Sequence, residues 1–205
     1  MSESGGGRTA LAGALFRTGA LRLGRVTLSD GRPSSYFIDL SVVLSDPEAF
    51  VLAVAACEAA ADGLGRKNFD VIAGIGNTGS VLAAPLALAW KKPLLCVRRG
   101  DGREQARIEG ATRPGWKTLM VDDVVGTGST LAAAAEALRR AGCVVKDAVV
   151  LVDRLEGGKG RLAAGGVRLT PFLDVKELAE TLHANGKVTK ADLQAMLKQI
   201  ERTQS

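Results

Sequence analysis

The sequence predicts an α/β fold: a parallel twisted sheet flanked by helices, with a small N-terminal hood. Three observations predict it. From about residue 71, short unbroken apolar runs alternate with Ala-rich segments of helical spacing. A strand covered on both faces reads as such a run, whereas a half-exposed strand alternates apolar with polar. Ahead of these runs lies a hairpin signal. Within them, one strand ends in two acids and a Gly/Thr/Ser loop, at the edge where open α/β sheets bind ligands.

Each element follows in order. Residues 1–8 are Ser/Gly-rich without an apolar stretch, so a flexible tail is expected and not a secretory signal. Residues 9–45 should hold a short helix, Thr9–Thr18, and the hood. Leu11, Leu15 and Phe16 share one side of that helix. From Leu23 apolar residues alternate up to Ser29-Asp30-Gly31, and the chain resumes after Pro33 as Tyr36-Phe37-Ile38-Asp39, a hairpin pattern. Asp46-Pro47-Glu48 opens a helix running to about Leu64: Asp46 caps, Pro47 fits the first turn and Glu48 favours the positive end.

The core is expected over 46–185. Its strands are Val71–Ala73, Leu94–Val97, Thr118–Val121, Ala148–Val152 and Leu169–Phe172. The helices between them are Ser80–Trp90, Thr130–Ala141 and Val175–Ala184. Over 186–205, Thr189-Lys190-Ala191-Asp192 resembles a capping box that starts a last amphipathic helix to about Arg202.

Composition narrows the chemistry. With 205 residues, 46% of them hydrophobic, the chain can bury a core without disulfides or metal. Cys57, Cys96 and Cys143 are odd in number and show no CxxC spacing, which fits small buried residues in a reducing compartment. His183 is the only histidine, so a multi-histidine metal site, or a Ser–His triad elsewhere in the chain, is excluded. The net charge is +5, but no run of five or more Lys/Arg occurs and aromatics are only 4%. Nucleic-acid binding is therefore not expected, and small phosphorylated substrates suffice to explain the charge. No apolar run is long enough to span a bilayer, so a cytoplasmic protein without membrane partners is expected.

The most informative stretch is Leu119 to Thr130. A buried strand ends in Asp122 and Asp123, Val124 and Val125 follow, and Gly126-Thr127-Gly128-Ser129-Thr130 runs into a helix. Glycines let backbone N–H groups turn inward, the helix start adds partial positive charge, and three hydroxyls can donate. That arrangement cradles a phosphate monoester. Acids beside the cradle make sense as acceptors for sugar hydroxyls, or as partial holders of a magnesium ion. A Walker A loop is ruled out because no Gly-Lys-Ser/Thr follows the glycines. A Rossmann fingerprint fits poorly because the acids precede the glycines.

Val121 to Thr130 resembles the phosphoribosyl pyrophosphate (PRPP) signature of type I phosphoribosyltransferases. Three further segments resemble the orotate phosphoribosyltransferases: Gly24 to Asp39; Val97-Arg98-Arg99 with Ile108-Glu109-Gly110; and Val152 to Gly158. The resemblance runs from about Leu11 to Leu182. It implies the phosphoribosyltransferase fold and transfer of phosphoribosyl from PRPP to orotate, giving orotidine 5′-monophosphate and pyrophosphate. It implies that Gly126, Thr127, Gly128, Ser129 and Thr130 hold the 5′-phosphate, with Val124 and Val125 in the same PRPP-binding segment. Asp122 and Asp123 would bind the ribose hydroxyls. The turn Gly74 to Gly79, with Asn77, Thr78 and Gly79, would meet the pyrophosphate. Tyr36 and Phe37 would lie over the base, with Thr127 near it, and Arg154 would grip the orotate carboxylate, a pairing that suits a planar guanidinium.

A mobile loop would carry Arg98, Arg99 and Arg103. Arg99 and Arg103, with Asp123, are the expected catalytic residues. The family's loop has lysines and a histidine; here Arg98 to Arg107 has neither. Arginine keeps its proton at neutral pH, so it can neutralise departing pyrophosphate but not act as an acid. No protein-held metal is expected, Mg2+ being carried by PRPP. The family's loop reaches into the neighbouring subunit, which implies a homodimer. Two rivals stand beside this reading: a purine-type phosphoribosyltransferase using the same cradle, and a catalytically weak PRPP- or nucleotide-sensing regulator.

Overall fold

The computed structural model describes residues 3–27, 31, 33–98, 100 and 106–204. Helix α1 (Glu3–Arg17) leads into an antiparallel hairpin of β1 (Leu21–Thr27) and β2 (Pro33–Ile38). A 3-10 turn, Leu40–Ser45, then leads to α2 (Pro47–Asp62). The core follows as β3 (Val71–Ile75), α3 (Gly76–Trp90), β4 (Leu94–Arg98), β5 (Arg107–Glu109), β6 (Lys117–Val125), α4 (Ser129–Arg140), β7 (Val144–Asp153), α5 (Gly158–Ala164), β8 (Arg168–Asp174) and α6 (Val175–Ala184). Helix α7 (Lys190–Gln204) ends the chain.

Six strands form one sheet in the order β5-β4-β3-β6-β7-β8. All neighbours are parallel except β5, an antiparallel edge strand on β4. The unbroken apolar runs bury both faces. Ile72, Leu119, Val121, Val149 and Leu151 join α2, α3 and α6 in one core. Val71, Ala73, Met120, Ala148 and Val150 meet Leu131, Ala134 and Leu138 of α4 in the other. Alternation along each strand, at a period of two, sends successive residues to opposite cores.

The hairpin is confirmed, though its turn residues 28–30 lie outside the described residues. A register shift falls between Leu23 and Val26. Gly24 sits there at φ 114°, a bulge that a side chain would resist. Asp46 caps α2 as expected, accepting from the Ala49 N–H at 2.9 Å. Thr189 and Asp192 cap α7 reciprocally: the Thr189 N–H donates to Asp192, and the Asp192 N–H donates to the Thr189 hydroxyl at 3.1 Å.

One expectation is corrected. Residues 3–8 belong to α1, not to a tail. Three consecutive glycines, Gly5 to Gly7, each cost a helix roughly 0.8–1 kcal/mol against alanine. Tertiary contacts offset this: Arg8 pairs with Glu177 of α6 and lies 5.8 Å over the Phe172 ring. The last helix also has a clear task. The Gln199 side-chain amide donates to the Ser34 hydroxyl at 2.8 Å, and its oxygen accepts from the Ser35 N–H at 2.6 Å. Thus α7 fastens the hood strand β2 to the body of the protein.

Candidate active site

The strand order reverses between β3 and β6. Strands β4 and β5 lie to one side of that point, β7 and β8 to the other. Two helices begin there, α3 at Gly76 and α4 at Ser129. Neither has a side-chain cap: their N-cap residues are Ile75 and Gly128. Helices α2 and α6, by contrast, are capped by Asp46 and Asp174. The first amides of α3 and α4 are thus left for a ligand, and two helix dipoles aim positive ends at one place. This is the arrangement at which open α/β sheets bind anions, at a topological switch point.

Asn77, Thr78 and Gly79 therefore form the first turn of α3, where a non-helical turn was expected. Close packing selects the glycines. A Cβ on Gly79 would lie 2.8 Å from both the Val121 carbonyl oxygen and Asp122 Oδ1, and one on Gly74 would lie 2.4 Å from Ser80 Cα. The first turn of α3 consequently rests directly on β6.

Asp122, Val124, Val125, Gly126, Thr127, Gly128, Ser129 and Thr130 line a small cavity of about 70 Å3 at the start of α4. The Thr127 hydroxyl donates to the Ser129 hydroxyl at 3.3 Å, so both sit at the mouth. Gly128 has φ 76°, a conformation L side chains resist. A larger cavity, about 360 Å3, continues past Ser129 and Thr130 to Ile75, Val97 and Arg98. Arg98, at the end of β4, reaches the first turn of α3 there, donating to the Asn77 side-chain oxygen. Arg99 and Arg103, the other loop arginines, lie outside the described residues.

The acids behave as a buried pair. Asp122 is 7% exposed and accepts from the Asp123 N–H at 2.9 Å. Burial holds the Asp122 carboxyl well above the ordinary carboxylate range, and the Asp123 charge adds to it. Burial raises Asp123 too, with Asp39 of the hood contributing as a like charge. The interaction between the two side chains raises Asp122 further and works against the rise of Asp123. Asp122 borders the small cavity at the start of α4.

The loop after β7 lies beside this site. The Arg154 N–H donates to the Val125 carbonyl at 2.9 Å, which binds this loop to the end of β6. The loops also mesh through glycines: a Cβ on Gly158 would meet the Gly126 carbonyl at 2.5 Å, and one on Gly128 would meet Gly158 Cα at 3.0 Å. Asp153 accepts from the Leu155 N–H at 2.8 Å, closing a turn that holds Leu155 at φ 58°. Arg154 points under the hood, its guanidinium 5.6 Å over the Tyr36 ring. Its Nε and Nη2 are buried without a hydrogen-bond partner, although Nη2 lies 2.7 Å from Glu156 Oε1. The Glu156 contact is thus a charge pair without an aligned hydrogen bond.

Tyr36 and Phe37 do not act together. Along β2 the inward positions are Ser34, Tyr36 and Ile38. Tyr36 is 1% exposed and faces Arg154, whereas Phe37 takes the other face, under the Arg22 guanidinium at 4.9 Å. Period-two alternation alone forbids both rings from covering one ligand. Glu156, Asp39 and Gln199 are site neighbours that the motif reading leaves without a role. Glu156 was signalled only by standing two residues after Arg154.

Comparison with known proteins agrees with this geometry. A family model described as the phosphoribosyl transferase domain matches residues 44–163. The chain is 38% identical over 178 residues to the orotate phosphoribosyltransferase of Cenarchaeum symbiosum, covering 85% of this chain and 88% of that protein. The orotate phosphoribosyltransferase structure from Aeropyrum pernix superposes with a TM-score of 0.74 at 36% identity, over 84% of this chain and 99% of that one. The UMP synthase of Leishmania donovani gives a TM-score of 0.82 at 28% identity; it covers 95% of this chain, which spans 42% of that longer protein. On the family match, the coverage and the shared architecture, the chain belongs to the orotate phosphoribosyltransferases of the phosphoribosyl transferase domain family.

Proposed function

We propose that the protein transfers the phosphoribosyl group of PRPP to a ring nitrogen of orotate, giving orotidine 5′-monophosphate and pyrophosphate in pyrimidine synthesis. The observation that carries the choice of base is Arg154. A buried guanidinium with Nε and Nη2 lacking hydrogen-bond partners, one loop away from a phosphate cradle, asks for a planar carboxylate. Orotate has one; adenine, guanine and xanthine do not.

The chain's residues divide the work. Amides and hydroxyls from Gly126 to Thr130 hold the 5′-phosphate, and the acids Asp122 and Asp123 receive the ribose hydroxyls. The uncapped amides of Asn77, Thr78 and Gly79 face the pyrophosphate. Arg154 fixes the base so that its nitrogen lies in line with the breaking bond, which turns an encounter into an aligned displacement. Arg98, with Arg99 and Arg103, supplies positive charge to the departing pyrophosphate. Among the described residues no group of three or more His, Cys, Asp or Glu could hold a metal, and a carboxylate pair beside substrate phosphates suits Mg2+ brought in by PRPP. Such an ion neutralises pyrophosphate charge.

A homodimer fits the surface. Val81 and Leu88, 41% and 80% exposed, share one side of α3, the helix whose first turn borders the site. Among the described residues no helix is long and apolar enough to cross a membrane. Three free thiols suit the reducing cytoplasm. The deciding experiment follows orotate absorbance with PRPP and Mg2+, with purine bases run alongside. Loss of absorbance matched by pyrophosphate release supports the reading; purine turnover without orotate turnover overturns it.

A further inference from the structure

Glu156 stands between the two halves of the substrate. Its Oε1 lies 2.7 Å from Arg154 Nη2, with the side chains 7% and 15% exposed. Its Oε2 would lie 2.8 Å from a Cβ on Gly126, the first glycine of the phosphate loop. One carboxylate therefore touches both the arginine that would hold the base and the loop that would hold the phosphate. The contact with Arg154 is unoptimised, since neither Nε nor Nη2 completes a hydrogen bond. The ring of Tyr36 lies 5.6 Å from the Arg154 guanidinium.

We propose that Glu156 is a positioning residue that occupies the base-carboxylate site at rest, and that phosphate binding against Gly126 displaces it and frees Arg154 for orotate. The inference rests on the orotate reading. A guanidinium side faces one carboxylate at a time, so Glu156 and the orotate carboxylate compete for Arg154. A phosphate dianion entering beside Gly126 repels the Glu156 carboxylate, which weakens the competitor. The two ligands then help each other bind, and by linkage each strengthens the other by the same factor. PRPP bound first becomes the favoured order.

Ribose 5-phosphate is the probe, because it fills the phosphate cradle without turnover. In the native full chain, calorimetry should show it tightening orotate binding about tenfold, within the usual range of such couplings. In Glu156→Gln, which keeps the shape and removes the charge, orotate alone should bind about tenfold more tightly. The coupling should then fall to within about twofold of unity. A merely structural role would lower the melting temperature and leave that ratio intact. Native protein that binds orotate equally well with and without ribose 5-phosphate overturns the proposal, whatever the variant does. So does a Glu156→Gln protein with native coupling. If native protein turns over orotate in either case, only this inference falls. If it neither binds nor consumes orotate, the base assignment falls with it.

Discussion

Asp122→Asn should stabilise the ligand-free protein while crippling it. The native carboxyl is buried beside a second acid, and burial raises its proton affinity. The folded state therefore binds a proton more tightly than the unfolded chain does. Its contribution to stability is full below the unfolded carboxylate range and is lost as pH rises through the elevated folded value. At neutral pH the protein carries this cost; asparagine, with nearly the same shape, removes it. Replacing this buried, titrating carboxyl, which accepts one backbone N–H at 2.9 Å, with a neutral amide should return on the order of 1–3 kcal/mol. In a chain of this length that corresponds to a melting temperature higher by about 2–4 °C per kcal/mol. The gain should shrink as pH falls and vanish only below the ordinary carboxylate range, where the unfolded chain is protonated as well. Thermal scans across pH, without ligands, check it. The same variant should lower kcat/KM for PRPP by roughly 10²-fold, about 2.7 kcal/mol. It should also lose the acid limb of the native pH profile that Asp122 causes. A destabilised Asp122→Asn at neutral pH, or an unchanged pH profile, would refute the view of the acids as a strained, ligand-facing pair.

Other outcomes follow from the same structure. Arg154→Lys keeps the charge but loses the fork, so kcat/KM for orotate should fall about 10²-fold while the KM for PRPP stays within about twofold; steady-state kinetics with each substrate varied separates the two. Gly79→Ala forces a Cβ to within 2.8 Å of the Val121 carbonyl and should cost about 1–3 kcal/mol in urea unfolding, together with a raised KM for PRPP as the first turn of α3 lifts from β6. Gln199→Leu leaves the Ser35 N–H and the buried Ser34 hydroxyl without that partner; roughly 1–3 kcal/mol of stability should be lost and the KM for orotate raised more than that for PRPP.

Much of this was legible in the sequence. Runs such as Val71–Ala73 and Ala148–Val152 can be satisfied only between two helical layers, and they became the central strands. The Gly126–Thr130 loop at the start of α4 was legible because glycine, hydroxyl and acid each answer a separate chemical need in a fixed order. The start of α3 was not. Gly76-Asn77-Thr78-Gly79 has the propensities of a turn, and only the need to lie against β6 makes it helical. Helix α5 was missed because Gly157 to Gly160 reads as a loop, and β5 because three residues carry no period. The opposed directions of Tyr36 and Phe37 were implicit in strand alternation. The pairing of Glu156 with both Arg154 and Gly126 was not, since it depends on two loops from neighbouring strands coming together in space.

That meeting of loops has a wider consequence. Where Gly158 lies against the Gly126 carbonyl and Gly128 against Gly158, backbone rests on backbone. At that contact there is no rotamer to adjust and no side-chain volume to trim. Neither loop can drift through substitution without prising the other away. Any change in which base the protein accepts must come from the perimeter, at Arg154, Glu156 and the hood, while the floor beneath stays invariant.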